Sequence, residues 1–249
     1  MHYKLGLIGK KLSHSFSKRY FEEKFQKYQI SNYSYNLWEL ESLNNIREFI
    51  LQQKNVLGFN VTIPYKLEIL NYVDEISDEV KYIGACNCVS INNSKWTAYN
   101  TDWWGFLKMI ENKLQVSTDF AIILGTGGAA KAVKHALDKL QIKSIFVSRH
   151  PKNDDNVITY SQLHSQFFQQ NVLLINTTPL GMYPDILSMP PIDLNLLNKN
   201  TFVIDLIYNP EKTLLLQEAE KKGCKILNGI EMLHLQAEKS WEIWQNSIK

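Results

Sequence analysis

One lysine asks for a chemical reason before any other residue: Lys66 stands directly behind an apolar run and a proline in "FNVTIPYKLE" (59–68). A cation is costly to bury, and a turn needs none. A second stretch, "AIILGTGGAAKAVKHAL" (121–137), supplies its own reason. An apolar strand runs into Gly125, Thr126, Gly127, Gly128 and Ala129 and then into a helical pattern, which is the setting a dinucleotide fingerprint requires. Gly125 allows the tight turn, Gly127 lets backbone approach a pyrophosphate, and Ala130 is small enough to close helix on strand. The helix N-terminus would then turn its amides and dipole toward the anion. NAD binding asks for an Asp or Glu about 20 residues further on, at the end of the next strand. "VSRHPKND" (147–154) offers Ser148 and Arg149 there, followed by Lys152, so the cofactor expected is NADP(H), with cations meeting its 2′-phosphate.

The elements that must position these groups follow an alternating pattern. Short apolar runs are separated by helix-length amphipathic segments, the pattern of βα units around a mainly parallel sheet, and the fold class expected is α/β. In the first part the strands are read at 3–9, 33–38, 58–63 and 87–92, with helices between them. Ser17 is placed to N-cap "KRYFEEKFQKY", whose Tyr20, Phe21, Phe25 and Tyr28 share one helical face and are expected to pack on the sheet. A second series runs through 120–124, 144–148, 172–176, 202–207 and 225–227. These runs are apolar on both faces, as in a doubly wound nucleotide-binding sheet. The boundary is expected near residue 103, giving a first domain 1–103 and a second 104–228. Segment 229–249 is a helix that returns to the first.

Composition narrows the function classes. The 249 residues are 45% apolar with a formal net charge of +2 and no block of like charge, so no nucleic-acid footprint or polybasic membrane patch is visible. No run approaches the ~18 apolar residues of a membrane span, and the N-terminal apolar run is too short for a signal peptide, so a cytoplasmic enzyme of small molecules is expected. Cys86, Cys88 and Cys224 cannot all pair and are expected to be reduced thiols. "CNC" (86–88) lacks the further ligands a zinc site needs, so no metal is expected.

Eight fragments in order, "LIGKKLSHSFS", "NVTIPYK", "GACNC", "YNTD", "GTGGAA", "INTTPLGM", "DLIYNP" and "GIEMLHLQA", make the chain resemble the shikimate dehydrogenase family over nearly its whole length. That resemblance implies an N-terminal α/β substrate-binding domain and a Rossmann-like NADP-binding domain with a cleft between them, reducing 3-dehydroshikimate to shikimate. It gives Lys66 its reason: Lys66 resembles the catalytic lysine that passes a proton to the carbonyl oxygen as hydride arrives. Asp102 of "YNTD" resembles the partner that orients the ammonium and bonds a substrate hydroxyl.

Ser15 and Ser17 match the serines that hold the substrate carboxylate, and Asn60, Thr62, Asn87 and Gln236 match polar groups around its ring hydroxyls. Tyr208 resembles a further carboxylate-side contact. Thr177, Leu206 and Gly229 match positions lining the nicotinamide and ribose. Departures from the family pattern are Lys18, where a proline is usual, Cys88, where a small polar residue is expected, and Ser148, where an asparagine usually precedes Arg149. The chain is also short for the family, with 150–160 the expected place of trimming. The partner expected is the small-molecule substrate alone, on a monomer or homodimer. A quinate/shikimate dehydrogenase with NAD or dual cofactor use, and a non-catalytic shikimate-binding homologue, are the competing readings. On the residues alone the Ser-x-Ser pair reads as a helix cap and His14 as structural, and Asn-Thr-Asp (100–102) can N-cap the helix that follows, which leaves Asp102 for chemistry only if another residue caps.

Overall fold

The computed structural model describes residues 1–12, 15–111, 113–114, 118, 120–151 and 156–247. His14 and Lys152 lie outside them. The chain divides into two compact units, Met1–Thr101 with Gln236–Lys249, and Asp102–Leu235.

The first unit contains β1 (Tyr3–Gly9), α1 (Phe16–Lys27), β2 (Tyr33–Glu39), α2 (Ile46–Gln53), β3 (Val56–Val61), β4 (Glu75–Ile76), α3 (Asp78–Ile83), β5 (Cys88–Asn92) and β6 (Lys95–Tyr99). Its sheet runs β2-β1-β3-β5-β6-β4. The first three strands are parallel and β3–β5 is antiparallel, as is β5–β6, whose tight hairpin can join only antiparallel neighbours. The hairpin turns at Asn93 and Ser94, both left-handed, which matches the twist of the strands it joins.

Both faces of this sheet are covered. Ile8, Phe59, Val61, Val89 and Trp96 bury one side. Leu5, Leu7, Tyr35 and Cys88 bury the other, against Phe21 and Phe25 of α1 and Ala237 and Trp244 further along the chain. The Trp244 indole donates to the Val89 carbonyl (3.0 Å), so its one polar atom is satisfied inside the core.

Helix α1 corrects two expectations. Its N-cap is Ser15, not Ser17, and Ser17 lies one residue inside the helix, because the helix begins at Phe16. Tyr28 is the C-cap and is 61% exposed, since the helical face has ended by that point, whereas Phe21 and Phe25 are buried as expected.

The second unit begins with α4 (Asp102–Glu111) and continues through β7 (Phe120–Leu124), α5 (Gly128–Lys139), β8 (Lys143–Val147), β9 (Val157–Ile158), β10 (Val172–Asn176), β11 (Thr201–Asp205), α6 (Leu214–Lys221) and β12 (Lys225–Asn228). Helix α7 (Ile230–Asn246) starts in this unit, and the division falls within it. The sheet, β12-β11-β10-β7-β8-β9, is parallel throughout, with strand order reversing about β7 and β10 as in a doubly wound fold. Alternate residues of one strand serve opposite cores. Ala121 and Ile123 pack with Phe106, Val133 and Leu137, while Ile122 and Leu124 pack with Val147, Leu215 and Leu216. This two-sided burial explains why the strands read as unbroken apolar runs.

Candidate functional site

Two polar centres stand out, one in each unit. In the first unit a set of neutral side chains from five separate segments is hydrogen-bonded into one buried cluster. Asn87, just before β5, is 3% exposed. Its side-chain oxygen accepts the Thr101 N–H (2.6 Å), and its amide donates to Thr101 Oγ1 (3.0 Å) and toward Gln236 Oε1 (3.3 Å). Thr101 Oγ1 also lies 3.2 Å from Ser240 Oγ, which donates to the Gln236 carbonyl one helical turn back (3.0 Å).

Asn60, on β3, donates to the Asn87 main-chain carbonyl (3.0 Å) and Ser240 Oγ (2.9 Å) and accepts from Tyr35 Oη (2.8 Å). Both donors of Asn60 are therefore spent on the protein, leaving one acceptor lone pair. Ser17 hydrogen-bonds Tyr35, whose phenol is held well above its ordinary range by complete burial. Ser17 is thus tied through Tyr35 and Asn60 to the Asn87 cluster. Ser15 differs. Its hydroxyl is buried and has no hydrogen-bond partner among the described residues, which costs ~1–3 kcal/mol unless something outside the protein meets it.

Lys66 and Thr62 lie on the turn that follows β3. Thr62 N–H donates to the Ile8 carbonyl (2.9 Å), and the Lys66 carbonyl accepts from Cys86 N–H (2.8 Å), so the backbone carrying the ammonium is pinned at both ends to the first unit. Cys88 is fully buried in β5, and all three cysteines are free thiols. Lys18, on α1, pairs with Glu22 at 3.7 Å on the surface.

Sequence reasoning did not single out Tyr35, Thr101 or Ser240. Ser240 had a readable signal: it lies four residues from Gln236 on the buried stripe of α7, where a small polar residue must have a partner. Thr101 lay inside "YNTD", masked by its neighbour, and Tyr35 read as an ordinary strand aromatic.

In the second unit the glycine turn leaves a helix end open. Gly125 has φ +106° and donates to the Val147 carbonyl (2.8 Å). A side chain there would be strained by that φ and would meet Thr177 Oγ1 at 2.8 Å. Gly127 is the N-cap of α5, with no side-chain cap, and the space its missing Cβ would occupy is empty within 4 Å. A 12-residue helix whose N-terminus has no side-chain cap and no Cβ at its N-cap suits a pyrophosphate. Thr126 and Gly127 are exposed, and Gly128 and Ala129, which open the helix, are half-buried.

Ser148 follows β8. Its hydroxyl accepts from His150 N–H (3.2 Å), and the adjoining Arg149 is exposed, close enough to Tyr160 for its positive charge to oppose the upward shift that burial gives that phenol. Thr177, after β10, donates through both N–H (3.0 Å) and Oγ1 (2.6 Å) to the Leu124 carbonyl. Leu206 and Gly229 are in close apposition: a Cβ on Gly229 would lie 2.0 Å from the Leu206 carbonyl oxygen. Tyr208 is half-buried, and desolvation raises its phenol pKa. Asp102 is buried as the first residue of α4, where the helix dipole favours a carboxylate. Among the described residues no group of three or more His, Cys, Asp or Glu side chains is arranged to hold a metal, and no helix is long and apolar enough to cross a membrane.

Comparison with known proteins places this architecture. The family model described as the shikimate dehydrogenase substrate binding domain matches residues 7–89. Shikimate dehydrogenase (NADP(+)) of Methanococcus aeolicus is 39% identical over 254 residues, covering 96% of this chain and 91% of that protein. The crystal structure of a chorismate mutase/shikimate 5-dehydrogenase fusion protein from Clostridium acetobutylicum superposes with a TM-score of 0.88 at 35% identity, covering 99% of this chain and 92% of that one. Shikimate 5-dehydrogenase from Thermus thermophilus, solved with NADP(H) and shikimate, gives 0.87 at 25% identity, covering 98% and 94%. The similarity runs along almost the full length of the chain and of these relatives, and the chain belongs to the shikimate dehydrogenase family.

Proposed function

We propose that the chain catalyses the reversible NADP(H)-dependent reduction of 3-dehydroshikimate to shikimate, within aromatic amino acid biosynthesis. When bound, NADPH supplies the hydride. The chain's own residues bind, orient and move the proton. The observation that carries this reading is the convergence of buried neutral donors and acceptors, Asn87, Thr101, Gln236 and Ser240, in a chain of this family whose Ser15 hydroxyl is buried with no partner among the described residues. A polyhydroxylated acid is recognised by such groups, because a ligand lacking one hydroxyl would leave its partner buried and unpaired.

In this reading Ser15 and Ser17 take the carboxylate, with Tyr208 contributing on that side. Thr62, Asn87 and Gln236 address the ring hydroxyls, and Asn60 fixes the Asn87 segment that does so. Lys66 donates the proton to the oxygen that gains charge, a step worth typically 10²- to 10⁴-fold for a positioned acid. Asp102 accepts from a substrate hydroxyl. The amides at Gly127, Gly128 and Ala129 take the pyrophosphate, Gly125 and Thr126 shape the turn, and Ser148, Arg149 and Lys152 meet the adenosine 2′-phosphate. Thr177, Leu206 and Gly229 lie on the nicotinamide side. The enzyme works on diffusible metabolites in the cytoplasm, as a monomer or homodimer.

The test is the reduced-nicotinamide absorbance with shikimate or quinate and NADP or NAD in all four pairings. Fast turnover is expected with shikimate and NADP. A preference for quinate with NAD would move the chain to the competing specificity, and no turnover in any pairing would reduce it to a binding protein.

A further inference from the structure

Asp205, at the C-terminal end of β11, is a fully buried carboxylate to which the proposed chemistry gives no role. It stands directly opposite Asn176 in the β10–β11 register. Its Oδ1 accepts from the Asn176 amide (3.0 Å) and from Ile207 N–H (3.1 Å), and its Oδ2 accepts from Thr213 Oγ1 (2.6 Å). Each partner carries the tie onward. The Asn176 side-chain oxygen accepts Thr178 N–H (3.0 Å) and Thr178 Oγ1 (2.7 Å). Thr213 is the N-cap of α6 and accepts from Leu216 N–H (3.4 Å). The Asn176 main-chain carbonyl accepts Leu206 N–H (3.0 Å).

One side chain thereby joins two connections: the turn after β10 that carries Thr177 and Thr178, and the β11–α6 connection, which it holds both near Leu206 and Tyr208 and at the α6 N-cap. Both connections leave the carboxyl ends of parallel strands, where open α/β sheets hold their ligands. A buried charge is an expensive way to fill a core, and apolar residues of similar volume hold sheets together without it. Burial pushes the Asp205 carboxyl up to about 6, against the three hydrogen bonds that hold it down. The expense is explained if the carboxylate's task is to fix loop geometry.

We propose that Asp205 is a positioning residue for the nicotinamide half of the cofactor site, holding the Thr177 and Leu206 turns in one arrangement through Asn176 and Ile207. This rests on the reading that the second unit binds NADP(H) with those turns on the nicotinamide side.

The experiment compares Asp205→Ala and Asp205→Asn with the unaltered protein by titration calorimetry against NADPH and against 2′,5′-ADP, which carries only the phosphate-bearing adenosine half, together with steady-state kinetics. With its three ties lost, Asp205→Ala is expected to lower kcat/KM for NADPH by about tenfold or more, while its 2′,5′-ADP affinity stays within about twofold. Asp205→Asn keeps acceptors for Asn176 and Ile207 and is expected to recover most of the loss. Should Asp205→Ala not fold, Asn176→Ala removes one tie and carries the same test at smaller amplitude. Parallel weakening of NADPH and 2′,5′-ADP, or unchanged turnover in the alanine variants, overturns the proposal. An unaltered protein that binds neither molecule overturns the cofactor reading itself, and this inference with it.

Discussion

Asn87 and Thr101 hold each other at two points: the asparagine side-chain oxygen takes the threonine N–H at 2.6 Å, and the asparagine amide gives to the threonine hydroxyl at 3.0 Å. Thr101 immediately precedes the buried Asp102, so this clamp also fixes where α4 begins. Thr101→Val keeps the shape and removes the hydroxyl, leaving Asn87, Gln236 and Ser240 short of a partner. The expected result is a loss of ~1–3 kcal/mol in denaturant unfolding. KM for shikimate should rise by about tenfold, the equivalent of 1.4 kcal/mol, with KM for NADP little changed.

Lys66→Ala tests the proton donor. kcat should fall by about 10²- to 10⁴-fold while NADPH affinity, measured by fluorescence, is retained. Turnover near that of the unaltered protein would remove Lys66 from the chemistry.

Arg149→Ala separates the two nicotinamide cofactors. The guanidinium is exposed beside Tyr160, and its expected partner is a phosphate that NADH lacks. KM for NADPH should therefore rise, with NADH kinetics unaltered. Equal effects on both cofactors would show that Arg149 is a surface charge.

Gly229→Ala drives a methyl to 2.0 Å from the Leu206 carbonyl oxygen, closer than atoms can approach, so the turn must shift. Overpacking of this kind costs typically ~1–3 kcal/mol. A lower thermal midpoint and weaker NADPH binding are expected together, and an unchanged melting curve would mean that the two turns separate easily.

The pH dependence of stability follows from Asp205. Its folded pKa, about 6, lies above the ordinary 3.8, so the folded state holds the proton more tightly than the unfolded chain. The associated stability is fully present below 3.8 and is lost as pH rises through about 6. Two units of difference correspond to about 3 kcal/mol. Asp205→Asn should remove this dependence, so that its stability relative to the unaltered protein improves between about pH 4 and pH 7 in chemical denaturation. Parallel curves for the two proteins would contradict the assignment.

The strands of the second unit were legible because burial on both faces imposes unbroken apolar runs, and β7 and β10 begin and end where the runs do. Strand β6 was not. "KWTAY" alternates, with Trp96 and Ala98 buried and Lys95 exposed, and its signal lay in the two-residue turn at Asn93 and Ser94 rather than in hydrophobicity. Two-residue strands such as β4 and β9 are too short to carry any period. The glycine turn was readable from its setting alone. The polar centre was readable only through the family resemblance, because Asn60, Asn87 and Gln236 are remote in sequence and nothing local tells a buried amide from a surface one. The tie at Asp205 stayed hidden in "DLIYNP" for the same reason.

The amide contact from Asn87 to Gln236 spans 149 positions, and the one from Asn60 to Ser240 spans 180. During vectorial synthesis the parallel-sheet body, contiguous from Asp102 to Leu235, is fully emerged before the older body can finish its interior. A nascent chain stopped short of Gln236 would carry the Asn60 and Asn87 amides without their helical partners. Chaperone engagement of this protein should accordingly centre on the half that was translated first, and end only when the closing helix is delivered.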